Sequence, residues 1–133
     1  MGFSFWSKSV IGVLLALFAV GCANYSSAPQ TPEQAVKARA QERWNTLVAG
    51  QLDKAYEYIT PSGRSTLPID VFRGRLSGAK WHGAKVTGAV CEPEVCDVTV
   101  ILDIEVLPNL RHQQPIDEKW LLVDGNWWFV YRG

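Results

Sequence analysis

This chain of 133 residues has few histidines, few cysteines and no formal net charge. It has two histidines, three cysteines and 13 basic side chains against 13 acidic ones. A chain without net charge lacks the positive field that general nucleic-acid binding needs. His82 and His112 are too far apart in sequence for a helical zinc-protease motif, and Gly78 to Lys85 lacks the Lys and Ser/Thr positions of a phosphate loop. We therefore expect no nucleic-acid partner, no metal site and no cofactor.

A long apolar run is also missing. Apart from Gly12, residues 10–20 are continuously apolar, and Lys8 precedes them. This span of about eleven residues is too short for a transmembrane helix, which needs about 20. It has the length of the apolar core of a secretory signal peptide. The N-terminus is thus predicted to direct export.

The four residues from Ala19 to Cys22 resemble the lipobox of bacterial lipoproteins. The resemblance implies that the preceding peptide is cleaved and that Cys22 carries fatty acyl chains such as palmitate. Ala19 departs from the family, which most often has Leu there. Ala23 stands where an Asp would favour the inner membrane, so the resemblance implies an outer-membrane anchor facing the periplasm. The alternatives are an ordinary cleaved signal peptide with a chance cysteine and an uncleaved anchor.

On this interpretation the chain divides into three parts. Residues 1–21 are the lipoprotein signal peptide, residues 22–30 are the lipidated cysteine with a flexible tether, and residues 31–133 form one domain, as the length suggests. Each buried CH₂ of an acyl chain contributes about 0.8 kcal/mol to membrane binding. The membrane is therefore the first predicted partner.

The other two cysteines, Cys91 and Cys96, are predicted to form a disulfide. A four-residue connection between two strand-like runs places them opposite each other at the mouth of a hairpin, within reach of a disulfide. The periplasm is oxidising, so the bond should form. The alternative, half of a metal site, lacks a second cluster of Cys or His.

The first half of the domain has helical periodicity. Thr31 to Gln34 forms a capping box with Pro at the first helical position, and the apolar pattern that follows stops at Gly50. A short second helix is predicted over 52–59, a brief extended piece over 63–67, and a third helix from Pro68 to about Leu76.

The second half changes to the period of two that is typical of strands. Residues 97–106 alternate between apolar and polar, residues 107–115 read as a polar loop, and two strands over 116–123 and 126–132 flank a type I′ turn at Asp124-Gly125. The predicted fold class is α+β, with three N-terminal helices packed on a curved, mostly antiparallel sheet of four long strands.

Two segments, "ERWNTLVAGQLDKAYEYITPSGRS" and "DEKWLLVDGNWWFVY", resemble the nuclear transport factor 2-like superfamily, and within it the small bacterial envelope lipoproteins. The resemblance spans nearly all of residues 31–132 and rests on patterns of shape rather than on catalytic signatures. It implies a cone-like, cystatin-like domain with an internal pocket. Some relatives are isomerases, dehydratases or hydrolases, and many only bind a ligand or a partner.

Two pairs are candidates for general acid–base chemistry. If Cys91 faces Cys96 without a bulge, His82 faces Glu105 and Ala84 faces Asp103. The alternative for His82 and Glu105 is a surface ion pair on the polar face of the hairpin.

The second pair lies in the C-terminal hairpin. With Asp124-Gly125 as the turn, Glu118 faces Tyr131 among aromatic rings, a setting in which a carboxylate could transfer protons. The alternative is a solvated pair at the rim of the cone.

Aromatic side chains from both halves are predicted to line the pocket. They are Trp44, Tyr56, Trp81, Trp120, Trp127 and Phe129. We expect a non-catalytic binding or accessory module whose partner is a small apolar ligand or another envelope protein, and a homodimer is compatible with the sequence. The alternatives are a small enzyme that transfers protons in the pocket and a purely structural envelope protein.

Overall fold

The computed structural model describes residues 28–133, which form four helices followed by four strands. The elements are α1 (Pro32–Val48), α2 (Leu52–Tyr56), α3 (Pro61–Thr66), α4 (Ile69–Leu76), β1 (Trp81–Glu92), β2 (Val95–Leu107), β3 (Leu110–Val123) and β4 (Asn126–Phe129). All strand pairs are antiparallel, in the order β1-β2-β3-β4. The predicted α+β class is confirmed.

Helix α1 begins as the capping box predicts. The Thr31 hydroxyl accepts from the Gln34 backbone N–H, and the Gln34 side chain accepts from the Thr31 N–H. The Gln41 side chain then bonds the backbone of Ala84 and Val86, each at 2.9 Å, which joins the helix to β1. Since β1 is an edge strand, these bonds satisfy backbone groups that have no neighbouring strand.

The helix count differs from the prediction, because residues 61–66 are helical rather than extended. Pro61 occupies the first turn, and the Thr60 hydroxyl accepts from the Gly63 N–H at 3.0 Å. No residue of α3 is buried, so this helix has no apolar periodicity to reveal it. The cap at Thr60 and the Pro at the first position specify it instead.

The predicted loop over 107–115 is also wrong. Strand β2 continues to Leu107, a tight turn follows with Asn109 at φ 63°, and β3 starts at Leu110. The end of this hairpin is exposed on both faces, so its side chains do not alternate between apolar and polar. Strand β4 is four residues rather than a long strand, and its last residue, Phe129, pairs with Trp120 and also forms a parallel bridge with Ile59.

Two irregularities shift the register of the first hairpin. Cys91 pairs with Cys96 as predicted, but a shift between Val86 and Gly88 places Ala84 opposite Leu102 instead of Asp103, and a second shift between Trp81 and Gly83 places Trp81 opposite Ile104. Both shifts involve a glycine, the residue at which a strand most readily bulges.

The core lies between the helices and one face of the sheet. Its fully buried members include Val36 and Ala40 of α1, Phe72 of α4, and Val98 and Trp120 of the sheet. Tyr56 and Phe72 pack ring against ring with centroids 5.4 Å apart. The core is thus rich in aromatic contacts, and an opening lies beside it along α1.

Candidate functional site

That opening is a half-enclosed cavity of about 220 Å³. It lies between α1, the end of α4, the start of β1, the middle of β3 and the C-terminal residues. Its walls are Arg43, Trp44, Leu47, Leu76, Trp81, Ile116, Asp117, Glu118, Lys119, Phe129, Val130, Tyr131 and Arg132. Trp81 meets Trp44 edge to face at 5.5 Å, which gives the cavity an aromatic wall.

The cavity contains a buried ion pair. Arg43 Nη1 donates to Glu118 Oε1 at 2.8 Å, and both side chains are about 95% removed from solvent. Helix α1 brings Arg43 inward because it follows Val36 and Ala40 on the same helical face. Strand β3 brings Glu118 inward because it alternates with the exposed Asp117.

Two indoles complete the hydrogen bonding of the carboxylate. Trp44 Nε1 donates to Glu118 Oε1 at 2.9 Å, and Trp120 Nε1 donates to Oε2 at 3.1 Å. Together with Arg43, three donors therefore occupy Glu118. Burial of a carboxylate is tolerated when it is paired and hydrogen-bonded in this way.

The guanidinium of Arg43 is less completely satisfied. Its Cζ lies 3.6 Å from the ring centroid of Phe129, a close cation–π contact. Its Nε is buried and has no hydrogen-bond partner within residues 28–133. Burial lowers the pKa of Arg43, and the adjacent Glu118 opposes that shift. The cavity thus contains a desolvated cation with unused donors.

Only some of the predicted pocket residues line this cavity. Trp44, Trp81 and Phe129 form its walls, whereas Trp120 and Trp127 are buried in the core. The remaining predicted residue, Tyr56, donates its hydroxyl to the Leu67 carbonyl at 2.6 Å and serves the helix packing.

The predicted pairing of Glu118 with Tyr131 is not formed, because β4 ends at Phe129 before reaching that position. Tyr131 lines the cavity, packs edge to face on Phe72 and Phe129, and accepts from Arg75 Nη1 at 3.5 Å. In the described part of the chain, it makes no hydrogen bond to Glu118. The solvated rim position is also wrong for Glu118, which is buried.

His82 and Glu105 do meet, although the shifted register does not pair them directly. His82 Nε2 lies 2.8 Å from Glu105 Oε2, and Lys80 Nζ lies 4.0 Å from the other oxygen. The hydrogen bond from His82 is the main cause that lowers the pKa of Glu105. Neither residue lines the aromatic cavity. The geometry is that of a surface contact.

The sulfur atoms of Cys91 and Cys96 are bonded, and the two Cα atoms are 4.1 Å apart. Cys96 is fully buried in the core, so the bond fixes the hairpin end to the interior. Lipidation at Cys22, the signal peptide and most of the tether lie outside the described residues, and residues 28–30 are exposed without regular structure.

Sequence reasoning missed Arg43, which is central to the site. A signal for it exists in the helical pattern. Positions 36, 40, 43, 44 and 47 make one face of α1, and Arg43 is the charged member of that apolar set. A charged residue at such a position needs a buried partner of opposite sign.

Residues 28–133 contain no helix that is long and apolar enough to cross a membrane. Over the same residues, no three His, Cys, Asp or Glu side chains cluster as metal ligands would.

Solved structures share this fold at low sequence identity. A SEC-C motif-containing protein from Rhodopseudomonas palustris matches with a TM-score of 0.60 and 17% identity, over 71% of this chain and 73% of that protein. A Campylobacter jejuni protein provisionally named an NTF2-like (nuclear transport factor 2-like) transpeptidase matches with a TM-score of 0.58 and 12% identity, over 73% and 98%. A SEC-C motif-containing protein from Psychrobacter arcticus matches with a TM-score of 0.58 and 14% identity, over 80% of this chain and 63% of that protein.

At these identities the likeness concerns the fold, and it supports the NTF2-like architecture that the sequence predicts. The chain matches no family model and no curated protein.

Proposed function

We propose that this chain is a lipoprotein of the bacterial outer membrane, anchored through Cys22 and facing the periplasm. Its domain acts as a non-catalytic binding module for a small ligand with an apolar body. The anchor is supported by the lipobox-like sequence from Ala19 to Cys22 and by the short apolar run before it.

The aromatic cavity carries the binding half of the proposal. Small-molecule sites are concave, mostly apolar and provided with a few placed polar groups. Here Trp44, Leu47 and Trp81 supply apolar walls, and the Arg43–Glu118 pair supplies the polar groups. The volume of about 220 Å³ is below the roughly 300–1,000 Å³ of drug-sized sites, so the ligand is small.

Proton transfer is not favoured at either candidate pair. A base must be free to accept a proton from its substrate. Glu118 already accepts from three donors, and within residues 28–133 Tyr131 makes no hydrogen bond to it. His82 and Glu105 lie on the surface, outside the aromatic cavity. A binding role, unlike proton transfer, does not need a free base in the cavity.

The anchor is tested by comparing the wild-type protein with Cys22→Ser after expression in a Gram-negative bacterium. We expect the wild type to enter the detergent phase on phase partitioning and to carry acyl mass on Cys22, and the variant to stay aqueous. A wild-type protein that stays aqueous with an unmodified Cys22 would remove the anchor from the proposal.

The cavity is tested by thermal-shift screening of the full-length protein, in mild detergent, against a library of small amphipathic compounds. We expect stabilising compounds for the wild type and none for Ile116→Trp, which fills the cavity. Val90→Trp adds the same side chain at an exposed position and serves as the control. If no compound shifts the wild type and a stoichiometric protein co-purifies, the domain is an accessory of that protein instead.

A further inference from the structure

In the cavity, the acceptor Glu118 is already hydrogen-bonded, whereas the donor Arg43 still has N–H groups without a partner among residues 28–133. This difference restricts which ligand the cavity can bind. This inference rests on the proposed binding function and specifies the chemical class of the ligand. The Glu118 carboxylate is occupied by Arg43, Trp44 and Trp120. It therefore has little to offer a ligand that donates hydrogen bonds.

Arg43, in contrast to Glu118, still has hydrogen-bond donors without a partner in the described part of the chain. A guanidinium has five N–H donors. Nη1 bonds Glu118, Nε is buried without a partner, and Nη2 makes no hydrogen bond to any residue from 28 to 133. Nε and Nη2 form one edge of the planar group, the edge with two parallel N–H directions. The unsatisfied edge of Arg43 needs acceptor atoms.

The charges around the cavity do not oppose a negative acceptor. The cationic wall residues are Arg43, Lys119 and Arg132, and the anionic ones are Asp117 and Glu118. Lys119 pairs with Asp97 on the outer side at 2.7 Å, so it is partly neutralised there. With Lys119 paired outside the cavity, Arg43 and Arg132 balance Asp117 and Glu118, so the walls carry no excess negative charge that would repel an anionic acceptor.

We propose that the ligand is a small organic acid with one carboxylate and an apolar body. The carboxylate binds the Nε/Nη2 edge of Arg43 through two parallel hydrogen bonds, the geometry in which guanidinium and carboxylate match best. The apolar body lies against the Trp44–Trp81 wall. A carboxylate at this edge supplies the partner that buried Nε lacks, and leaving that group unsatisfied is costly.

The experiment compares acids with their own amides, which have the same apolar body without the charge. The probes are benzoate, phenylacetate and hexanoate, each beside its amide, titrated at pH 7 into the full-length protein in detergent. A hydrogen bond to a charged group is worth about 1.5–3 kcal/mol, so we expect at least one acid to bind about tenfold or more tighter than its amide.

A double variant tests whether Arg43 is the source of that preference. Arg43→Met with Glu118→Gln removes both buried charges together, so no lone charge remains, and we expect the acid to lose its advantage over the amide. Lys37→Met is the control on the same helix. If the double variant does not fold, Arg43→Lys keeps the charge without the planar edge and should weaken the acid about tenfold while leaving the amide unchanged.

The outcomes separate this inference from the proposed function. Equal binding of acid and amide overturns the carboxylate inference and leaves the binding function standing. Failure of every probe, together with failure of the library screen, removes both. An acid preference that survives in the folded double variant, or in Arg43→Lys, overturns the assignment of Arg43.

Discussion

Two contacts in this protein have the same length and opposite surroundings. Arg43 and Glu118 meet at 2.8 Å in the interior, and His82 and Glu105 meet at 2.8 Å on the surface. The interior pair is enclosed by indoles and a phenyl ring, whereas the side chain of His82 is 40% exposed. Distance alone therefore does not decide the importance of a polar contact. The surroundings decide it, because water competes for the outer pair and has little access to the inner one.

Removing one member of the inner pair should have the largest effect. Arg43→Met leaves the Glu118 charge buried with only neutral donors, and breaking a buried pair in this way costs about 3–5 kcal/mol. We expect this loss in the free energy of unfolding of the full-length protein, measured by urea titration with circular dichroism. Lys37→Met on the same helix should stay near wild type. A loss below about 1 kcal/mol for Arg43→Met would show that water reaches the pair.

The disulfide gives the next largest effect and acts on the outer hairpin. Reduction of Cys91–Cys96 removes the restraint on a short loop, for which the chain-entropy estimate is about 2 kcal/mol. We expect the urea midpoint to fall on addition of a reductant while the helical circular dichroism signal persists. The Cys91→Ala/Cys96→Val variant, which has no bond to reduce, should not respond to the reductant.

The aromatic wall should contribute less. Trp81→Leu removes the edge-to-face contact with Trp44, a type of contact worth about 0.5–1.5 kcal/mol beyond its buried area. We expect a stability loss of about 1 kcal/mol together with weaker binding of any cavity ligand. Trp128→Leu, at a tryptophan outside the cavity, should leave ligand binding unchanged. Equal weakening by both variants would place the ligand elsewhere.

The outer pair should give the smallest effect, and it should depend on pH. The pKa of Glu105 in the folded protein lies below its ordinary value of 4.5, chiefly because His82 bonds it. Its contribution to stability is then complete above about pH 4.5 and is lost as the pH falls through the lowered pKa. We expect Glu105→Gln to leave the urea midpoint at pH 7 nearly unchanged and to reduce the acid sensitivity of unfolding. A large loss at pH 7 would contradict the surface assignment.

The features that could be predicted from the sequence are those specified by neighbouring residues. The capping box at Thr31, the turn at Asp124-Gly125 and the facing of Cys91 with Cys96 all depend on residues close together in the chain. The features that could not be predicted depend on a distant partner or on a small local shift. The pairing of Arg43 with Glu118 joins residues 75 positions apart, and no local rule couples them.

The register errors have the same origin. One extra residue near a glycine moves every later pair, so a prediction that starts at the disulfide fails by the position of Ala84. The contact of His82 with Glu105 tolerates this shift because both side chains are long enough to reach across it.

The two indole N–H groups that donate to Glu118 have a consequence for spectroscopy. Both protons are sequestered on a single carboxylate, so they should exchange with deuterated solvent only when the domain opens. In a nuclear magnetic resonance spectrum, the side-chain signals of Trp44 and Trp120 would then report the integrity of the interior without any label. The rate at which both signals disappear after dilution into heavy water would measure how often the domain opens.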